Sequence, residues 1–377
     1  MNQDNNNKSE NKINYTFSSI KNKKVEITNS EDQLSSDAGF LLLKQIEKHT
    51  GIVKQITDNI NDRRSQDRIT HQLEALLKQR IFQIAAGYED ANDSDSLRKD
   101  AILKIAADLL PDSNSDLGSQ STISRLENSI SRTDLYRIAR AIMLNFINSY
   151  EHEPEVIILD CDDTNNKVYG HQQLSLFNNY YRQHCYQPLH IYEGLSGKLI
   201  TAILKPGRRS KDVEVFSILS RVIDFLRDYW PNTRIIIRGD SHFCSSELMA
   251  WTKDKKRVNF ITGLSGNQKL NDSSKVTIKS AEDKYNRDGK PIKFYHTFRY
   301  KAQSWSDLYR VIVKVEVNSK GTNIRYIVTD LEEFRTKDLY EKGYCARGKM
   351  ELYIKDHKSY LQSDRSSCNS FEANQFR

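Results

Sequence analysis

The chain has 377 residues, of which 37% are apolar and 28% are charged, and its formal net charge is +7. This length and composition predict a soluble protein of two or three domains. No segment approaches the roughly 18 consecutive apolar residues of a membrane span, which argues against a membrane protein. The five cysteines include no C-x-x-C pair, so neither a zinc ribbon nor a disulfide framework is expected.

The amino-terminal segment begins "MNQDNNNKSENKINY" and lacks the apolar stretch of a signal peptide. We therefore predict a cytoplasmic protein. Residues 1–24 are predicted to be a disordered tail, because so polar a composition cannot bury a core.

Residues 25–152 are predicted to form a helical domain. Within "ITHQLEALLKQRIFQIAAGYED", apolar residues recur at spacings of three and four, as on one face of a helix. Further on, "GSQSTISRLENSI" predicts a short helix with Ser124, Arg125 and Asn128 facing outward. Such a helix could read DNA as a helix-turn-helix does, or it could serve packing alone. We interpret this domain as DNA-binding.

The segment "VIILDCDDTNN", residues 156 to 166, is an apolar run that ends in three acids. Its four apolar residues predict a buried strand that leaves the sheet at Asp160. Asp160 and Asp162 with Thr164 match the D-x-D-x-T pattern of a haloacid dehalogenase-type phosphatase. The acids are equally compatible with a nuclease-like metal site or with a simple loop cap.

Residues 153–265 change to an α/β pattern. We predict strands and one helix in the order strand, strand, strand, helix, strand, at residues 156 to 160, 186 to 193, 198 to 204, 212 to 229 and in "TRIIIRGD". Acids end the first and fourth strands, the latter with Asp240. This order predicts an α/β protein with a ribonuclease H-like core.

A basic strip, "KLITAILKPGRRSK", spans residues 198 to 211 and contains five cations but no acid. Its adjacent Arg208 and Arg209 suggest contact with a polyanion such as DNA. The alternative is an ordinary solvated loop.

Residues 266–335 are predicted to be a β-rich insertion. The segments "KPIKFYHTFRYKA", "LYRVIVKVEV" and "NIRYIVTDL" have the composition of strands. Trp305, between the first two, could stack on an unpaired base or lie in a core.

The segment "YCARGKMELYIKDHK" concentrates charge on one predicted helix face. Tyr344, Arg347, Glu351 and Lys358 fall within an arc of roughly 60° at about 100° per residue. A carboxylate among cations suits a metal-bound ligand rich in phosphate. A solvated surface helix would also carry charges there.

These four residues match the Y-x2-R-x3-E-x6-K signature, and the chain thereby resembles DDE-type bacterial insertion-sequence transposases. The segments "LDCDDT", "GHQQLSLFNNYY", "CYQPLHIYEG", "RGDSHF", "ITGLSGN" and "SFEANQFR" are similar to the insertion-sequence 1380 branch. The phosphatase interpretation is weaker, because "GDSHFCSSE" lacks the acid that its last motif requires.

The resemblance implies a catalytic triad in which Asp240 is the second acid and Glu351 the third. In related transposases the first aspartate precedes a Ser or Thr by two positions, which selects Asp162. Asp160, on the same side of the strand, is the alternative first ligand, whereas Asp163 should point away. The core would then comprise residues 153–265 and 336–377.

The resemblance also implies the chemistry and its partners. Two Mg²⁺ or Mn²⁺ ions would bind the triad, and DNA would be cleaved and transferred at the terminal inverted repeats of a mobile element. Tyr344, Arg347 and Lys358 would contact phosphates, and Arg208, Arg209 and Trp305 would add further DNA contacts. A homodimer acting on paired ends and on target DNA, associated with the nucleoid, is expected.

The sequence departs from the family pattern at one place, its carboxyl end. Family members generally continue past "FEANQFR", so we expect a shortened chain. The alternative function is therefore an inactive transposase that only binds DNA or inhibits a complete enzyme.

Overall fold

The computed structural model describes residues 15–27, 37–208 and 212–377. The described residues divide into two compact units. The first runs up to Ala141 and includes Tyr360–Gln362 and Phe376–Arg377; the second comprises Ile142–Ser359 and Ser363–Gln375.

The first unit is mainly helical. It opens with the antiparallel strands β1 (Tyr15–Ile20) and β2 (Lys23–Ile27). The helices that follow are α1 (Gly39–Thr50), α2 (Ile52–Thr57), α3 (Leu73–Ala85), α4 (Asp93–Leu97), α5 (Ala101–Ala106), α6 (Gln120–Ser129) and the start of α7 (Arg132–Asn148). A short 3-10 turn, Gln66–Arg68, precedes α3.

The apolar spacing that predicted a helix after residue 70 corresponds to α3, whose Leu73, Leu76 and Leu77 are buried. The hairpin of β1 and β2 was not predicted, since residues 1–24 were expected to be disordered. It is held to α1 by the Ser18 hydroxyl, which donates to Gln45 Oε1 at 3.0 Å. Residues 1–14 of the predicted tail lie outside the described residues.

The second unit contains α7 from Ile142 onward and most of the strands. In chain order these strands are β3 (Val156–Asp163), β4 (Asn166–Lys167), β5 (Leu176–Asn178), β6 (Gln183–Tyr186), β7 (Leu189–Glu193), β8 (Leu199–Ile203), β9 (Arg234–Gly239), β10 (Val258–Leu264), β11 (Ile292–Tyr300), β12 (Tyr309–Asn318) and β13 (Gly321–Thr329). The helices are α8 (Asp212–Tyr229), α9 (Ser246–Asp254), α10 (Gln268–Asp288), α11 (Thr336–Asp338), α12 (Gly348–Tyr360) and α13 (Phe371–Phe376).

A mixed sheet of eight strands organises this unit within the described residues, in the order β11-β12-β13-β10-β9-β3-β7-β8. β3, β9 and β10 run parallel to one another, whereas β7 is antiparallel to both of its neighbours, β3 and β8. Both faces of the central strands are covered, which explains their continuous apolar sequences. Ile157, Leu159 and Cys161 face a core that includes α8, and Val156 and Ile158 face a second core.

Two differences from the predicted elements concern this sheet. The strand predicted at 186 to 193 is divided: Tyr186 ends β6, which belongs to the separate sheet β4-β6-β5, and β7 begins at Leu189. The strands predicted in the insertion are present as β11 to β13, but they extend the large sheet, and α10 precedes them. No helix in the described part of the chain is long and apolar enough to cross a membrane.

Candidate active site

Two predicted acids lie at the carboxyl ends of adjacent parallel strands. In the register of β3 and β9, Cys161 lies opposite Gly239; Asp162 is the next residue of β3, and Asp240 directly follows β9. Asp240 caps the 3-10 turn Ser241–Phe243, and its Oδ1 accepts a hydrogen bond from the His242 amide at 2.8 Å. Side chains at the carboxyl ends of parallel strands meet at one edge of the sheet, as these two do.

The third predicted acid, Glu351, lies in the first turn of α12. This helix is anchored by its apolar side, because Met350 and Ile354 are buried against Tyr192 of β7. Anchoring on that side leaves the Glu351 carboxylate exposed. The helix therefore carries the acid while the sheet fixes the position of the helix.

Arg347 joins the first and third acids. Its Nη1 donates to Asp162 Oδ2 at 3.2 Å, and its Nη2 donates to Glu351 Oε1 at 3.1 Å. The Arg347 side chain is only 15% exposed. The guanidinium therefore links β3 to α12.

The pKa of Asp162 responds to the charges of the other two acids. The pKa of Asp162 is raised to about 6: burial is the largest cause, Arg347 opposes it, and the negative charges of Asp240 and Glu351 add to it. A carboxylate surrounded in this way is costly to charge unless a cation is near.

Asp160, the alternative first acid, is occupied by a different partner. Arg238 Nε and Nη2 donate to Asp160 Oδ1 and Oδ2 at 2.5 and 2.7 Å, and Arg238 Nη1 donates to the Gly343 carbonyl at 2.5 Å. A β-carbon at Gly194 would lie 2.6 Å from Arg238 Nη2, so only glycine fits beside this pair. Both oxygens of Asp160 are thus engaged by Arg238, whereas Asp162 contacts Arg347 beside Glu351.

Arg238 was not predicted to pair with Asp160. It lies two residues before Asp240 in "RGDSHF" and opposite Asp160 in the register of the two strands. A cation inside an otherwise apolar strand was the available signal, because a buried charge requires a partner. Asp163, on the other side of β3, forms an ion pair with the buried Lys205 at 2.7 Å.

Residues 17–377 match the family described as Transposase DDE domain group 1. The chain belongs to this family. The DDE-type transposase predicted from the sequence is thus confirmed at the level of the family, while its insertion-sequence 1380 branch stays a prediction.

Further comparisons add a distant structural likeness. No curated protein matches the transposase. Among solved structures it is similar to one described as piggyBac transposase synaptic complex with hairpin DNA. The identity is 11% and the TM-score 0.42, over 85% of this chain and 68% of that chain.

The signature residues of the transposase do not lie on one regular helix, contrary to the spacing argument. Residues Leu339–Tyr344 form a π turn and Cys345–Arg347 a 3-10 turn before α12 begins. Tyr344 nevertheless reaches the site, since its hydroxyl lies 2.9 Å from a β-carbon placed on Gly263, a position that also abuts Ser241. Lys358 is held just beyond the end of β3, with Nζ donating to the Asn165 carbonyl at 2.7 Å.

The remaining predicted DNA contacts of the transposase are scattered. Arg208 is exposed, and Arg209 lies outside the described residues. Trp305 is 6% exposed and packs edge-on against Tyr300 and Tyr309. A ring enclosed by core aromatics cannot stack on a base, so Trp305 is a core residue.

The donor set of the transposase suits a hard divalent cation. Asp162, Asp240 and Glu351 offer only oxygen atoms, which Mg²⁺ and Mn²⁺ prefer. Among the described residues, no group of three acidic, histidine or cysteine side chains is close enough to hold a metal ion as arranged. Arg347 stands between two of the three acids, and it would have to release at least one of them.

Proposed function

We propose that this transposase cleaves and transfers DNA at the terminal inverted repeats of a bacterial insertion sequence, with Asp162, Asp240 and Glu351 as its metal-binding acids. The observation that supports this most is the convergence of the three acids. Asp162 lies in β3, Asp240 directly after β9, and Glu351 in α12. The charges of Asp240 and Glu351 both help to raise the pKa of Asp162. Their separation in the sequence makes such a meeting improbable without a shared role.

The order of the central strands supports a ribonuclease H-like core. β8, β7, β3, β9 and β10 are neighbours in that order, with β9 and β10 parallel to β3 and β7 antiparallel to it. This is the arrangement expected when three antiparallel strands precede a helix and two parallel strands. In this order Asp162 and Asp240 lie at the carboxyl ends of two adjacent parallel strands, as the proposal requires.

Two divalent ions bound by these carboxylates would activate a nucleophilic oxygen and relieve charge on the leaving 3′ oxygen. The protein's own residues hold that site in shape. The pair of Asp160 and Arg238 ties β3 and β9 to Gly343, next to Tyr344. Arg347, once it leaves a carboxylate, can turn to a phosphodiester oxygen, which its planar guanidinium binds well.

DNA is the partner that the charges favour. Arg347 and Tyr344 adjoin the acids, Lys358 contacts Asn165, and Arg208 and Arg209 belong to the basic strip of the sequence. The helical first unit is proposed to bind the transposon end, and two copies of the chain are proposed to act on paired ends. Such binding should weaken with salt, because cations displace counterions from phosphates.

A cleavage assay tests the proposal. A labelled duplex with the inverted repeat that flanks the gene is incubated with the full chain and Mg²⁺ or Mn²⁺. Asp240→Asn and Glu351→Gln should abolish cleavage without loss of folding. Asp356→Asn, an exposed acid on the same helix as Glu351, is the matched control and should cleave normally. Retained cleavage in either triad variant would overturn the assignment.

A second candidate is a DNA-binding protein without catalysis. The ion pairs of Arg347 with Asp162 and Glu351 favour it, since they engage the acids that catalysis requires. Both candidates predict binding that depends on salt, but only the enzyme nicks the labelled strand. Binding without any nicking in either metal would select the second candidate.

A further inference from the structure

The small sheet β4-β6-β5 with its connecting turns, residues 166 to 186, displays an unusual number of aromatic rings; we name it the aromatic hairpin. Tyr169 is 87% exposed and Tyr180 83% exposed, and Phe177 and Tyr181 are also exposed. Single exposed apolar residues are normal on a protein surface. Four exposed rings within thirteen residues instead indicate a site that contacts another molecule.

The turn that carries two of these rings is held firmly. Asn178 is buried, and its Oδ1 accepts hydrogen bonds from the amides of Tyr180 and Tyr181 at 2.9 and 3.2 Å. Its Nδ2 donates to the Gly207 carbonyl at 2.8 Å, which attaches the turn to the segment carrying Arg208. The rings of Tyr180 and Tyr181 meet edge to face at 4.9 Å. The backbone of the turn is thus fixed by Asn178, so the fold does not require exposed tyrosine rings at these positions.

The aromatic hairpin adjoins the candidate active site. β4 begins three residues after β3 ends at Asp163, and the Asn165 carbonyl between them binds Lys358. Burial raises the pKa of Tyr181, and the negative charges of Asp163 and Asp162 contribute to that shift. Tyr181 is therefore within electrostatic reach of the first catalytic acid.

The charge of this region matches a polyanion. From residue 164 to residue 192 the sequence contains no aspartate or glutamate. Lys167 lies with Nζ 4.6 Å from the centre of the Tyr169 ring, and Arg182 in the hairpin is exposed. Arg208 is also exposed, next to the Gly207 that Asn178 contacts. Rings interleaved with cations are the pattern by which proteins hold single-stranded nucleic acid.

We propose that the aromatic hairpin binds unpaired DNA bases next to the scissile phosphate, with Tyr180 and Tyr181 as the stacking residues. This inference rests on the proposed function, since it assumes a DNA end at the three acids. It assigns to the hairpin the stacking role for which Trp305 is too deeply buried. Because every base has an aromatic face, the preference should be for unpaired structure and not for sequence.

The test compares two duplexes that differ only near the cleaved end, where one contains three unpaired nucleotides with a 2-aminopurine among them. Binding is measured without divalent metal, so that nothing is cleaved. The parent chain should bind the unpaired duplex about tenfold more tightly and change its fluorescence, as base stacking on aromatic rings predicts. The variant Tyr180→Ala/Tyr181→Ala should lose this preference and still bind the paired duplex.

Two control variants separate stacking from other effects. Tyr180→Phe/Tyr181→Phe keeps both rings and should keep the preference. Tyr229→Ala removes an exposed tyrosine at the end of α8 and should change neither affinity. Thermal unfolding of each variant checks that it folds, since Tyr180 is 83% exposed but Tyr181 only 36%.

The outcomes distinguish this inference from the proposed function. An unchanged preference in the double alanine variant overturns the inference alone. A parent chain that prefers unpaired DNA through these tyrosines but never cleaves overturns the proposed catalysis alone. No binding of either duplex overturns both. Loss of self-association in the alanine variant, with the DNA preference intact, would make the hairpin an interface between copies and overturn the inference.

Discussion

Arg238 holds both carboxylate oxygens of Asp160, and each of the two side chains is 2% exposed. The pair connects two central strands and, through Gly343, the turn that leads to the third acid. The two candidate first acids therefore have different partners, since Asp160 is paired with Arg238 and Asp162 with Arg347.

Asp160→Ala should therefore destabilise the protein by roughly 3–5 kcal/mol, because Arg238 would remain buried without a counter-charge. Urea unfolding measures this. Asp160→Leu/Arg238→Met removes both charges and should recover much of the loss. A normally stable Asp160→Ala that fails to cleave would show instead that Asp160 is a metal ligand.

Asp162→Asn should abolish cleavage yet stabilise the fold at neutral pH. The pKa of Asp162 is raised from 3.8 to about 6, so the charged form is less favourable in the folded protein than in the unfolded chain. The free energy of unfolding therefore falls as the pH rises from about 3.8 to about 6, and it stays at the lower value at higher pH. We expect a gain of about 1–2 kcal/mol for the variant at pH 7.5, allowing for partial exposure.

At pH 4 the gain should vanish, because Asp162 is then protonated in the folded protein. Urea unfolding of parent and variant at both pH values is the measurement. Asp163→Asn is the contrasting variant: it leaves the buried Lys205 unpaired and should destabilise at pH 7.5. Equal stability of parent and Asp162→Asn at pH 7.5 would contradict the electrostatic account of the site.

Gly263→Ala should damage the site without unfolding the sheet. The new β-carbon would lie 2.9 Å from both the Ser241 amide nitrogen and the Tyr344 hydroxyl. One of these is backbone next to Asp240, so the second acid must shift, and cleavage should fall at least tenfold because misplacement of about 1 Å is that costly. Gly266→Ala, whose β-carbon has no neighbour nearer than 3.6 Å, is the control and should cleave normally.

Arg347→Ala should weaken binding of transposon-end DNA and flatten its dependence on salt by about one ion. Glu351→Gln should bind nearly normally but not cleave. Affinities measured across salt concentration for these variants and the parent make the comparison. Identical slopes and affinities for all three would show that Arg347 serves only to join Asp162 to Glu351.

The parts of this fold that could be predicted from the sequence are those with strong local patterns. The apolar runs of β3 and β9 and the spacing in α8 predict their elements, because both sheet faces and one helix face are buried. α10 was missed: of its residues only Leu270, Ser274 and Ala281 are buried, so its inner face is narrow and partly polar. A 21-residue helix can pack on a sheet with so little apolar sequence.

The residues of the candidate site could be predicted only in part, and for a different reason. Family signature letters indicate Asp162, Asp240 and Glu351, but alternation along a strand puts Asp160 and Asp162 on the same side. Only a partner 78 residues away, Arg238, distinguishes the two acids. Likewise the composition around Trp305 is compatible with a surface or a core, and the packing of Tyr300 and Tyr309 decides it.

The orientation of the Glu351 side chain depends on the number of residues in the π turn at Leu339–Tyr344. A π turn accommodates extra chain that an α-helix would not, and at about 100° per residue a single deletion there would rotate all of α12 onto a different side. Met350 and Ile354 would then leave their apolar contacts together with the carboxylate. Insertions and deletions in these six residues should therefore be far less tolerated than substitutions, so the length of this stretch is itself a functional constraint.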